Sequence, residues 1–333
     1  METQIFTSYD GKNLSCSVWD DVKNPIGIVQ LVHGMAEHSK RYDDFATYLN
    51  KHGIIVFADD HRAHGLTMER PNFDEGDLFN ETIRDEIEIT KYLKKTYHLP
   101  LIIMGHSYGS FLTQGYIQRN ALNVAGAVLC GSSNMDNALT RVGATIASID
   151  YKFSKDKAKP AKQLDKLVFG AYNNNFKKEN QAFAWLSKDK AQVQKYIDDE
   201  YCGNVMSVAF FKYMINGAKN LYKKENLAKI PKELPLRIMS GADDPVGGKD
   251  SKDIKKLNQM YLDLGLTNVE FQLYENDRHE ILNEVDNDVV YRDTLNFFLK
   301  VFENCDKKDY KVPQNKSKKK QKAQEKHNNN KKK

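Results

Sequence analysis

Leu101-Ile-Ile-Met-Gly105-His106-Ser107-Tyr108-Gly109 is the stretch that decides how this 333-residue chain reads. Its four apolar residues show no alternation, as expected of a strand buried on both faces. They run into a Gly-x-Ser-x-Gly, and a helical pattern follows over Tyr108–Asn120. A serine held in so tight a strand-to-helix turn sits in strained backbone, and the flanking glycines leave room for neighbouring main chain. The helix then aims its first N–H groups and positive dipole end at the place where negative charge would develop on a substrate. The stretch predicts a nucleophile, Ser107, at the end of a buried strand.

Working outward, short β-rich runs alternate with longer amphipathic segments. This pattern belongs to an α/β fold with a mainly parallel sheet flanked by helices. Gln4–Ser8 and Leu14–Trp19, joined through Asp10-Gly11, predict an antiparallel pair at a sheet edge. Buried strands are expected at Gly27–Val32, Ile54–Ala58, Leu101–Met104, Ala125–Cys130 and Leu236–Met239, with a last one at Val269–Tyr274, eight in all. Helices are expected at Tyr42–His52, Glu81–Tyr97, Tyr108–Asn120, Ser251–Leu264 and Val289–Phe302. Residues 133–230 break the alternation. They hold no clear strand, but they do hold helical patterns such as Asn204–Leu221, where Val208, Phe211, Ile215 and Ala218 share a face. We read this stretch as a helical cap inserted into a core formed by 1–132 and 231–304.

A serine hydroxyl needs a base, and the base needs an orienting acid. In this kind of turn the partners follow in the order Ser, then Asp or Glu, then His, at the ends of later strands. The strand at Leu236 runs into Gly241-Ala-Asp243-Asp244-Pro, which offers two acids. The strand at Val269 runs into a loop bearing His279, the only histidine after those acids apart from His327 in the polar tail. Near the start, Ile28-Val-Gln-Leu-Val-His33-Gly34-Met35-Ala36-Glu37-His38 ends a strand in His-Gly. Backbone amides of Met35 and Tyr108 are the expected oxyanion donors.

His33-Gly-Met-Ala-Glu37-His-Ser-Lys-Arg41-Tyr42, Asp60-His-Arg-Ala-His64-Gly65, Gly105-His-Ser-Tyr-Gly109, Gly241-Ala-Asp-Asp244 and His279-Glu-Ile-Leu-Asn-Glu284 together resemble the monoacylglycerol lipase and bacterial lysophospholipase branch of the α/β-hydrolases. The likeness runs from about residue 1 to 302 and is weakest across the cap. It implies the α/β-hydrolase fold and hydrolysis of single-chain glycerolipid esters (monoacylglycerol or lysophospholipid) through an acyl-enzyme on Ser107. It also implies Asp244 rather than Asp243 as the acid, because the acid follows the glycine by three positions, and it places Glu37 and Arg41 at a glycerol head group, a salt-bridged loop anchor being their alternative role. Where the branch usually carries Gly-His-Gly, this chain has Ala63-His64-Gly65. The aromatic and methionine residues Phe183, Trp185, Tyr196, Met206, Phe210, Phe211, Tyr213 and Met214 are expected to serve mostly in packing, with a minority facing substrate.

Composition bounds the alternatives. No apolar run reaches the roughly 20 residues that span a bilayer, no signal peptide is visible, and four dispersed cysteines suit reduced thiols in the cytoplasm. No metal-ligand spacing and no cofactor motif appears. The formal charge is +5, yet residues 305–333 carry twelve lysines against three acids, a net +9, which leaves −4 for the rest. Such a tail is expected to be disordered and suits contact with an anionic membrane; nucleic acid is disfavoured because no aromatic interleaving or reading helix accompanies it. A short-chain esterase, a peptidase of the same fold, and a tail-driven membrane or nucleic-acid binder with a vestigial hydrolase are the rival readings.

Overall fold

The computed structural model describes residues 1–67 and 76–305, so the lysine-rich tail beyond Cys305 lies outside the described residues. Eight strands, β1 (Glu2–Thr7), β2 (Asn13–Trp19), β3 (Gly27–Val32), β4 (Ile54–Asp59), β5 (Leu101–His106), β6 (Gly126–Cys130), β7 (Leu236–Gly241) and β8 (Val269–Tyr274), form one sheet in the order β1-β2-β4-β3-β5-β6-β7-β8. The β1–β2 and β2–β4 pairs are antiparallel and the other pairings parallel. The first pair is the predicted hairpin, with Gly11 at φ 87° in the turn.

Burial explains the strand sequences. β3 to β7 are buried at every position, which is why they read as unbroken apolar runs, whereas β1 at one edge alternates exposed and half-buried residues. Helices cover both faces: α1 (Asp43–Lys51), α2 (Leu78–Tyr97), α3 (Tyr108–Asn120), then α4 to α8 between β6 and β7, and finally α9 (Lys252–Asp263) and α10 (Asn287–Glu303). α1 and α10 pack on one side around Phe45 and Phe298; α2 and α3 pack on the other around Phe79 and Tyr116.

Between β6 and β7 come α4 (Ala138–Phe153), α5 (Lys162–Phe169), α6 (Lys190–Asp198), α7 (Val208–Leu221) and α8 (Lys224–Leu227), with a 3-10 stretch at Tyr172–Glu179. α7 starts four residues later than its apolar pattern suggests, because the Ser207 side chain caps it by accepting the Phe210 amide at 3.0 Å. The face formed by Val208, Phe211, Ile215 and Ala218 is buried. α7 packs against α4 and α2, and Gly217 lies so close to the Phe79 ring that a Cβ there would come within 2.2 Å of it.

α2 starts three residues earlier than expected. Asp77 accepts the Asn80 amide at 3.2 Å, and Leu78 and Phe79 are buried beneath the first turn. No helix among the described residues is long and apolar enough to cross a membrane.

Candidate active site

Ser107 sits at the turn from β5 into α3 with φ 52° and ψ −120°, a conformation that costs a non-glycine residue about 1–3 kcal/mol. Packing imposes it. A Cβ on Gly109 would stand 2.0 Å from the Val32 carbonyl oxygen, and one on Gly105 would stand 2.2 Å from the Gly109 oxygen. The motif glycines are thus the residues that let α3 press against β3 and β5. The turn is pinned by the Ser107 amide donating to the Cys130 carbonyl at 2.9 Å and by the Ser110 hydroxyl donating to the Ser107 carbonyl at 2.6 Å.

Asp244 follows β7 and is almost wholly buried. Its Oδ2 lies 2.9 Å from His279 Nδ1 and accepts the Ser240 hydroxyl at 2.9 Å, while Oδ1 accepts the Val246 amide at 2.8 Å. Asp243 is exposed, so Asp244 is the carboxylate brought to His279. Gly241 permits this approach: a Cβ there would meet the Asp277 carbonyl oxygen at 2.1 Å. The His279 ring also packs against Trp185, at 4.9 Å between centroids, and against His106, at 4.8 Å. Ser107 and His279 line the same cavity.

Met35 lines that cavity as well, and Tyr108 is the first residue of α3. Neither amide donates to a protein acceptor among the described residues. The loop around Met35 is heavily braced. Ala36 has φ 56°, and its carbonyl accepts both the Tyr196 hydroxyl at 3.0 Å and the Gly203 amide at 2.9 Å. Beneath it Glu37 Oε1 accepts the Gly34 amide at 2.6 Å and the Tyr42 hydroxyl at 2.8 Å, with His106 Nδ1 at 3.3 Å. Arg41 donates to Glu37 at 2.6 Å and, through both terminal nitrogens, to Glu280 at 2.6 and 2.7 Å.

Arg41 is therefore the shared partner of Glu37 and Glu280. Glu37 reaches the cavity wall, as does Glu280, whereas Arg41 is not among the lining residues. Burial alone would push the Glu37 carboxyl up, yet the Arg41 guanidinium and His106 hold it well below the usual carboxylate range. Burial likewise opposes Glu280, and Arg41 outweighs it to lower that group too. His106 occupies the position that Gly-x-Ser-x-Gly leaves free, so the motif does not mark it, and the available signal for Glu280 is an acid directly beside the base.

The histidine-rich loop braces the same region. His61 stacks on His33 at 3.8 Å and donates its amide to His33 Nε2 at 3.0 Å, while Asp60 accepts from the Ser39 amide, the Ser39 hydroxyl and the Leu66 amide. Ala63 keeps a positive φ of 63° where the related branch carries glycine.

The cavity holds about 550 Å³ and is mostly apolar. Of the eight aromatic and methionine residues singled out, Phe183, Trp185, Tyr196 and Met214 face it, and the other four are packing residues; Phe111, Phe169 and Tyr172 join the lining.

Residues 23–286 match the family described as Serine aminopeptidase, S33 (Hydrolase_4). A monoglyceride lipase homolog of Monkeypox virus is 24% identical over 289 residues, 86% of this chain and 93% of the viral protein. Among solved structures, a thermostable carboxyl esterase from Bacillus coagulans in complex with glycerol superposes with a TM-score of 0.80 at 26% identity, covering 90% of this chain and 98% of the other. A monoglyceride lipase from Saccharomyces cerevisiae, a soluble variant with a substrate analog, superposes with a TM-score of 0.69 at 21% identity over 90% and 94% of the two chains.

Proposed function

Because this chain belongs to the serine aminopeptidase S33 family of α/β-hydrolases, as a serine ester hydrolase of the monoglyceride-lipase type, we propose that it cleaves the ester of a single-chain glycerolipid, monoacylglycerol first. The observation that carries this reading is the joining of one largely apolar cavity of about 550 Å³ to Ser107 and to His279, itself bonded to Asp244.

In the proposed reaction His279 takes the proton of Ser107 as the serine oxygen attacks the ester carbonyl, and Asp244 keeps the imidazole oriented through Nδ1. The Met35 and Tyr108 amides receive the developing oxyanion. The alcohol leaves with the proton from His279, and water then releases the fatty acid by the reverse steps. Residues 133–230 act as a cap that encloses the acyl chain, with Phe183, Trp185 and Met214 as its cavity face. Glu37 and Arg41 serve first as anchors of the Met35 loop, and Glu37 presents its carboxylate toward the head-group end.

The lining favours a head group that carries no phosphate. Glu37 and Glu280 face the cavity, and the only lysine or arginine among its described lining residues is Lys166 on α5, beside Asp165. A phosphodiester gains little there. Surface contact with lipid is supported by the outer face of α4, where Leu139, Val142, Ile146, Ile149 and Phe153 are exposed at helical spacing, and the twelve lysines of residues 305–333 would add attraction to anionic lipid.

The test incubates wild type and Ser107→Ala with 1-monoacylglycerol, lysophosphatidylcholine of the same chain length and an aminoacyl anilide. Fatty acid released from monoacylglycerol by wild type alone is the expected result. Faster release from lysophosphatidylcholine overturns the head-group reading, and turnover of the anilide alone replaces the esterase by a peptidase. Labelling of Ser107 by a fluorophosphonate without any turnover keeps the nucleophile and discards the lipid.

A further inference from the structure

Beside the Met35 loop, a turn of the helical segment brings three metal-binding side chains together. His38 leaves the loop, and Asp199 and Cys202 sit on the Asp199-Glu-Tyr-Cys202 turn that follows α6. His38 Nε2, an Asp199 carboxylate oxygen and Cys202 Sγ all lie within 4.8 Å of one another. The turn is preformed. The Cys202 amide donates to the Asp199 carbonyl at 3.0 Å, and the Tyr201 amide donates to Asp199 Oδ1 at 2.9 Å, which leaves Oδ2 facing His38 Nε2 at 2.9 Å. Acid and thiol therefore stand three positions apart on one tight turn, the spacing by which two cysteines of a zinc knuckle share a metal.

The thiol is the second observation. Cys202 is 9% exposed, and its sulfur has no hydrogen-bond partner among the described residues. Burial pushes the thiol up, and the carboxylates of Asp199, Glu37 and Glu280 add to this against the pull of Arg41. Asp199 keeps the mouth of the cluster open to solvent, with its side chain 31% exposed. Sequence spacing gives no hint of such a site, because His38 lies 161 positions from Asp199.

The geometry points to a Zn²⁺-class site formed by His38 Nε2, Asp199 Oδ2 and Cys202 Sγ, with water as the fourth ligand, tying the helical segment to the Met35 loop. A mixed nitrogen, oxygen and sulfur set suits a borderline cation rather than Ca²⁺ or Mg²⁺. On binding, Cys202 gives up its proton to solvent, and the metal replaces the His38–Asp199 hydrogen bond. The site needs neither Ser107 nor turnover, so it stands or falls apart from the esterase reading.

The full-length chain titrated with Co²⁺ reads it directly. We expect one equivalent to bind with a near-ultraviolet thiolate-to-cobalt charge-transfer band, and Zn²⁺ to displace it. Cys202→Ser should abolish the band, and His38→Gln should weaken binding by at least the roughly hundredfold that loss of an outer-shell partner can cost, while Cys305→Ser should change nothing. Absence of the band in wild type overturns the site, as does its survival in Cys202→Ser. If Cys202→Ser does not fold, Asp199→Asn carries the test, since it keeps the side-chain shape and removes the charged ligand; unchanged affinity in that variant overturns the site equally.

Discussion

At the scale of single residues, position decides more than identity. Asp243 and Asp244 are the same residue type in adjacent positions, yet one is exposed and the other is buried against His279. Asp244→Asn should lower kcat by about 10⁴, as expected when the base loses its orienting charge, and Asp243→Asn should leave kcat near wild type; steady-state kinetics on a soluble ester distinguishes them. The sequence offered both acids and could not separate them without the resemblance, since which carboxylate turns inward depends on how the main chain leaves β7. Ala63 is a departure from the related pattern that the sequence does show. It holds the left-handed conformation at φ 63°, which a side chain adopts at a cost of about 1–2 kcal/mol. Ala63→Gly should therefore raise the stability read from urea unfolding, by up to about 1 kcal/mol after glycine's greater chain entropy is subtracted.

At the scale of elements, the informative feature is the network that ties the loop after β3 to the turn after β8. Removing its cation, as in Arg41→Met, leaves the buried carboxylates of Glu37 and Glu280 without the guanidinium that offsets their charge and should cost about 3–5 kcal/mol by chemical denaturation. The pH dependence follows from the same pair. Both carboxyls are depressed in the folded chain, so the unfolded chain takes up protons first as pH falls. Their contribution is complete above the ordinary glutamate value of 4.5 and is lost progressively below it. The part of the wild-type melting temperature that depends on this pair should hold down to about that pH and then fall. In Arg41→Met, where both carboxyls rise, lowering the pH from 7 should narrow the deficit instead. Elements themselves were legible where the local signal was plain, as in the unbroken apolar runs of β3 to β7 and the Gly-x-Ser-x-Gly turn that opens α3. Their ends were less so: α2 and α7 shift by three and four residues because Asp77 and Ser207 supply caps that an apolar pattern does not register.

At the scale of the whole molecule, the eight-stranded sheet and the order of Ser107, Asp244 and His279 along it could be read from the chain, because Ser107 and Asp244 follow β5 and β7, whose burial leaves unbroken apolar runs, and His279 follows the last strand pattern, at Val269–Tyr274. The contacts that close the cavity could not. Trp185 on His279, Tyr196 on Ala36 and Arg41 on Glu280 join residues tens to hundreds of positions apart, and no local pattern encodes such pairs. Deletion of residues 305–333 should leave turnover of a dissolved short-chain ester unchanged and should reduce retention on anionic liposomes at low salt, measured by flotation; equal retention by the shortened chain removes the tail from the lipid contact. The doubly accepted carbonyl of Ala36 bears on how such a molecule can change over time. An inserted helical segment is commonly the part of a fold freest to drift or to be exchanged between lineages. Here two of its groups, the Tyr196 hydroxyl and the Gly203 amide, are stitched into the loop that carries Met35. A graft from a relative that lacks that hydroxyl would arrive with its pocket intact and its seam open, so the freedom to acquire new substrates is bounded at this single carbonyl oxygen.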